Sequence, residues 1–150
     1  MALELPPLYA ILDPEHTRGR PAERVLIGLL EAGVSILQLR VKSLPPVDFL
    51  ELAKDARTAT RAHDCKLIIN DRIDIALACD ADGVHLGQDD LPLSAGRKLM
   101  GKKIVGISTH GAENFPMGFA VEVFGPKNLD HLVNGFVLEQ NSAQNRRLCL

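Results

Sequence analysis

Gln38, Arg40 and Lys42 stand at i, i+2 and i+4 in an otherwise apolar run. Side chains on a strand alternate between its faces, so this spacing puts an amide and two cations on one face. A guanidinium offers phosphate oxygens a planar fork and an ammonium offers a point charge, so the trio suggests an anion site. The same spacing also fits a strand end running into solvent, with Arg40 and Lys42 simply exposed. A second group follows: Asn70 and Asp71 close an apolar run, and Asp90 follows the next run after Gly87. Mg²⁺ takes one or two carboxylates with waters and phosphate oxygens, which makes Asp71 and Asp90 a candidate metal pair. The competing reading makes Asp71 a helix cap paired with Arg72, and Asp90 the start of a turn before Pro92. An anion site beside the carboxylates favours the metal, because metal and diphosphate then account for each other. Ser108 and Thr109 end a further run. With no base pattern nearby, they read as hydrogen-bond donors to a ligand rather than nucleophiles. His85 reads as a satisfied core residue, and Cys65 and Cys79 as core or surface thiols. No residue is assigned as a catalytic acid, base or nucleophile.

The elements that must carry these groups are five short apolar runs, at 8–13, 35–40, 66–71, 83–87 and 103–108. Most are rich in Ile, Leu or Val, as strands buried on both faces of a parallel sheet are. Helical spacing separates them. Val25, Leu26, Leu29 and Ala32 share a face, with Gly33 as a natural stop. Pro46 precedes a segment with Phe49, Leu52, Ala53 and Ala56 on one face, and shorter helices fit 73–79 and about 94–100. Strand alternating with helix predicts βαβ units with right-handed crossovers. The polar groups then fall at the C-terminal ends of the strands: Asp13; Gln38, Arg40 and Lys42; Asn70 and Asp71; Gln88, Asp89 and Asp90; Ser108 and Thr109. In α/β barrels and open α/β sheets that end builds the site, and stability alone does not explain five strands delivering polar groups to one rim.

Bulk properties exclude several classes. The net charge is −2 with no basic block, and there is one Tyr and no Trp, so neither nucleic-acid binding nor a stacking platform is favoured. The three cysteines form no CxxC pair, which argues against a disulfide framework or structural zinc and for reduced thiols in a cytoplasm. Residues 1–7 lack the basic start and apolar run of a signal peptide, and no stretch approaches the roughly 20 apolar residues of a membrane span.

The pattern changes after His110. Five of six asparagines and four of five phenylalanines fall in the last 40 residues, and all nine isoleucines precede them. The βα rhythm stops, although 119–124 could form an irregular strand. The expectation is therefore a partial barrel over 1–110 and a divergent tail over 111–150, whether frameshifted, rearranged or mis-translated.

The segments LYAILD, AGVSILQLRVK, LIINDRIDIAL, ADGVHLGQDDLP and IVGISTH follow one another in order. Together, over about residues 8–110, they resemble the thiamine phosphate synthase family. The resemblance implies a TIM-type (β/α)₈ barrel, here incomplete at about five βα units, and a transferase of thiamine biosynthesis. Such an enzyme couples hydroxymethylpyrimidine diphosphate to a thiazole phosphate, giving thiamine phosphate and pyrophosphate with Mg²⁺. It implies that Gln38, Arg40, Lys42 and Asn70 meet the pyrimidine diphosphate, that Asp71 and Asp90 hold Mg²⁺, and that Ser108 contacts the pyrimidine. The family is acidic at Asp89 too, but Asp90 aligns with the ligand. The family's later Gly-Pro segment leads to Thr-x-Thr-Lys and then to loops for the thiazole phosphate. Here Gly125-Pro126 runs directly into Lys127 and Asn128. The last three βα units are therefore expected to be absent, leaving the chain inactive alone and prone to self-association through open sheet edges. Two alternatives stand beside this: a non-catalytic partial barrel that binds ligand or assembles with another chain, and a relative of the thiazole tautomerase that shares this barrel. The intact Asn70-Asp71 and Asp90 set favours the synthase.

Overall fold

The computed structural model describes residues 9–109 and 135–139. Five parallel strands alternate with helices. They are β1 (Ala10–Leu12), α1 (Ala22–Glu31), β2 (Ile36–Leu39), α2 (Pro46–Ala62), β3 (Lys66–Asn70), α3 (Ile73–Ala78), β4 (Gly83–Leu86), α4 (Leu93–Met100) and β5 (Ile104–Thr109), with a 3-10 turn over Pro14–His16. Each strand pairs with the next in sequence, so every crossover carries one helix or the turn-helix pair back along the sheet. The expected βαβ succession is present. Among the described residues the sheet is open, because β1 pairs on one side alone.

Local chemistry explains the boundaries. Pro46 is the first residue of α2, where its missing N–H leaves no intrahelical bond unmade. After α1, Gly33 takes φ +85°, a conformation open to glycine, and its N–H and that of Val34 satisfy the carbonyls of Leu30 and Leu29. The turn sends the chain directly into β2.

The register divides the sheet into two faces. In-register neighbours in parallel strands point the same way, so Leu37, Leu39, Leu67, Ile69, Val84, Leu86 and Val105 share one face. All are buried against the helices, in the main core with Leu26, Leu30, Phe49, Ala53 and Ala56. The opposite, inner face begins as a small apolar layer of Tyr9, Ile36, Ile68 and Ile104. Gln38, Asn70 and His85 follow on the same face, all buried. A sheet buried on both faces is why these strands read as continuous apolar runs.

One expectation is corrected. The sequence after β5 shows no further strand–helix pair and leaves β5 an open edge unless the tail covers it; β6 (Gly135–Glu139) supplies that cover, pairing antiparallel with β5 from Thr109↔Gly135 to Val105↔Glu139. The fifth strand is therefore not an open edge. The apolar core of β6 is three residues, Phe136–Leu138, too short to register as a strand signal. The segment 119–124 lies outside the described residues.

Candidate metal and diphosphate site

The C-terminal ends of the strands carry the candidate groups. The 3-10 turn after β1 is capped by Asp13, which accepts from the Glu15 N–H at 2.9 Å. The side chain of Asp13 is 7% exposed, and its other oxygen takes the Arg40 guanidinium at 2.5 Å. Backbone pairing holds Arg40 in place too, since its N–H donates to the Leu12 carbonyl. β2 ends at Leu39, so strand alternation carries Gln38 to the inner face but does not reach Lys42. Lys42 arrives at the same rim from the following bend and pairs with Asp71. Neither cation is a bare strand-end charge in solvent. Each is matched to a carboxylate at the rim.

Asp71 follows β3 in the left-handed region, at φ +62°. It does not cap α3: the cap position is Arg72, no side chain caps the helix, and Arg72 pairs instead with Asp74. The helix-cap reading of Asp71 is thereby overturned. Its backbone N–H donates to the His85 carbonyl at 2.7 Å, which ties the ends of β3 and β4 together. Asp90 does close a turn, with its N–H on the Gly87 carbonyl and its Oδ2 accepting the Gly87 N–H at 2.7 Å. Its carboxyl also lies against that of Asp71. Burial raises the pKa of Asp90, and the adjacent Asp71 carboxyl raises it further, while the Gly87 N–H and then Lys42 oppose them. The two neighbouring carboxyls offer oxygens of the kind a small hard dication takes, with one Asp71 oxygen engaged by the Lys42 ammonium. Among the described residues no cluster of three His, Cys, Asp or Glu side chains can hold a metal. A cation here would complete its shell from waters and phosphate oxygens, as Mg²⁺ does.

On the inner face, Asn70 stands level with His85. The His85 Nε2 lies 2.9 Å from the Ser108 hydroxyl. Burial pushes the imidazole down to about 4, against the pull of Asp71, so it is neutral at pH 7. His85 is thus the buried, hydrogen-bonded residue expected, but it is also the neighbour of a candidate ligand contact. Gln38 is anchored by the Tyr9 hydroxyl. Asp89 and Gln88 are exposed. The structure therefore brings Arg40, Lys42, Asn70, Asp71, Asp90 and Ser108 to one rim, with Gln38 below. The pairings Asp13–Arg40, Tyr9–Gln38 and His85–Ser108 escaped sequence reading. Their one sequence signal was position, as polar groups on strands whose register was not yet known. The opposite rim holds a separate network, in which Asp82 accepts from the Leu67 N–H and Arg57, and Asp80 pairs with Arg61 and Lys103. Charge at that end of such sheets ties strands to helices.

A β/α sheet of the barrel type, with cations and carboxylates gathered at the C-terminal ends of its strands, is the class that fold and site define. A family model described as thiamine monophosphate synthase matches residues 8–148, and the chain belongs to that family. It is 50% identical over 107 residues to the thiamine-phosphate synthase of Halalkalibacterium halodurans, covering 71% of this chain and 51% of the relative. It is 43% identical to the putative thiamine-phosphate synthase of Geobacter sulfurreducens, covering 79% and 58% respectively. The chloroplastic thiamine biosynthetic bifunctional enzyme of Arabidopsis thaliana is 39% identical over 93% of this chain and 26% of its own. Among solved structures, a thiamine phosphate pyrophosphorylase from Pyrococcus furiosus superposes with a TM-score of 0.64 at 34% identity, covering 69% of this chain and 50% of that one. The chain spans about half the length of the curated bacterial relatives it matches, and the family model extends well past residue 110.

Proposed function

We propose that this chain carries the Mg²⁺ and pyrimidine-diphosphate half of a thiamine phosphate synthase site. The observation that carries the reading is the convergence of the Asp71 and Asp90 carboxyls with the Lys42 ammonium, on the rim that also holds Arg40, Asn70 and Ser108. In the reaction the resemblance implies, the pyrimidine's exocyclic C–O bond breaks and a C–N bond to the thiazole forms, with pyrophosphate leaving. Arg40 and Lys42 would bind the diphosphate and balance the charge that grows on it, and Asn70 would donate to it. Asp71 and Asp90 would hold Mg²⁺, which supplies Lewis-acid stabilisation of the departing pyrophosphate when bound. Ser108 and Gln38 would orient the pyrimidine ring.

The same proposal divides the chain at residue 110 into a partial barrel and a tail whose β6 pairs with β5. It includes a cytoplasmic location, which suits the buried free thiols Cys65 and Cys79. Among the described residues no helix is long and apolar enough to cross a membrane. The test is equilibrium dialysis of hydroxymethylpyrimidine diphosphate against the chain, with Mg²⁺ and after chelation. Retention that chelation abolishes is expected. No retention, or retention indifferent to Mg²⁺, would overturn the reading.

A further inference from the structure

Gln38 is 1% exposed, and its Nε2 donates to the Tyr9 hydroxyl at 2.9 Å. Among the described residues this is the one side-chain hydrogen bond that Gln38 makes. Tyr9 is held in turn, because its ring packs into the apolar layer with Ile36, Ile68 and Ile104. An amide is planar, so anchoring its nitrogen also fixes the direction of its oxygen, which can only accept. The register sets Gln38 beside Ile68, and two residues further along β3 Asn70 sits beside His85, near the rim. An acceptor of fixed direction above an apolar floor suits a flat heteroaromatic ring bearing an amino group.

We propose that Tyr9 is a positioning residue, which orients the Gln38 amide so that its carbonyl oxygen accepts from the ring amine of the aminopyrimidine. This rests on the function proposed above and assigns the ring-reading part of that site. In that reading the diphosphate is held elsewhere, by the rim cations and by Mg²⁺ on the carboxylate pair, so the two ends of the ligand can be tested apart.

The test uses the full chain, Mg²⁺, and two probes in titration calorimetry: hydroxymethylpyrimidine diphosphate and inorganic pyrophosphate. Tyr9→Phe removes one oxygen and keeps the ring in its layer. It should weaken the pyrimidine diphosphate about tenfold and leave pyrophosphate unchanged. Tyr9→Leu should lose both the selectivity and much of the melting temperature, whereas Tyr9→Phe, which keeps the ring and strips the buried Gln38 amide of this acceptor, should lose the selectivity at a smaller cost in melting temperature. Equal loss for both probes, or no loss for either, makes Tyr9 a packing residue and overturns the inference alone. A wild-type chain that retains neither probe overturns the functional reading and this inference with it.

Discussion

At φ +62°, Asp71 occupies a backbone region that a β-carbon disfavours, directly after β3 and against Asp90. Asp64 and Asp80 take the same region away from this rim, so the conformation is one that Asp tolerates in a tight turn. Asn tolerates the same conformation, so Asp71→Asn removes the charge without reshaping the turn. Its expected effect is a loss of about 1.5–3 kcal/mol in Mg²⁺-dependent binding of the pyrimidine diphosphate, with Arg40→Ala losing a similar amount, from the diphosphate contact, at saturating Mg²⁺. Calorimetric titration of both variants checks this. His85 makes a second prediction, this time about stability. Its folded-state pKa of about 4 lies below the ordinary 6.5, so the unfolded chain binds the extra proton first. Stability from this group is full above pH 6.5 and drains away as pH falls toward 4, by on the order of 3 kcal/mol. Urea unfolding across that window should show the slope, and His85→Gln should flatten it. Asp90 has the opposite sign. Its raised pKa makes ionisation a cost above the ordinary carboxylate range. Asp90→Asn should therefore stabilise the metal-free fold at pH 7 and leave it unchanged at pH 3. Arg40, Asp71 and Asp90 were legible in sequence because polar residues at the ends of apolar runs stand out. The bonds Tyr9–Gln38 and Asp13–Arg40 were not, because each depends on how two strands are staggered, and no single run encodes that.

The parallel strands announce themselves as short Ile-, Leu- and Val-rich runs, and proline and glycine punctuate the helices. Pro46 opens α2 and Gly33 follows α1. Expected strand limits differ from observed ones by up to two residues, as at β1, where pairing stops at Leu12 and Asp13 turns to cap the 3-10 turn. Gly83 shows a constraint invisible in periodicity. A β-carbon there would lie 2.4 Å from the Ile104 carbonyl oxygen, which the β4–β5 ladder fixes in place. At Gly96 in α4 the nearest atom is the Leu86 Cδ1 at 2.6 Å, the far end of a side chain that can rotate. Gly83→Ala is accordingly expected to destabilise the fold by about 2–3 kcal/mol, and Gly96→Ala by roughly 1 kcal/mol. Urea denaturation of the two variants side by side decides the order. β6 was missed for a different reason. An antiparallel edge strand formed by three apolar residues takes its stability from the ladder with β5 rather than from its own sequence.

For the molecule as a whole, β6 covers the outer side of β5, while β1 remains paired on one side alone among the described residues. An unpaired strand edge is a template for another chain. Sedimentation of the purified chain is expected to show self-association, and a concentration-independent monomer would contradict that. The chain spans about half the length of the bacterial synthases it matches, and no Thr-x-Thr-Lys run follows Gly125-Pro126. The central claim concerns the rim, and the most direct test is nitrogen-edited NMR of the labelled chain titrated with hydroxymethylpyrimidine diphosphate and Mg²⁺. Amides around Arg40, Asn70, Asp71, Gly87, Asp90 and Ser108 should shift together, and should return when Mg²⁺ is chelated. Shifts centred instead on Arg57, Asp80 and Asp82 at the opposite rim, or no shifts at all, would contradict the account.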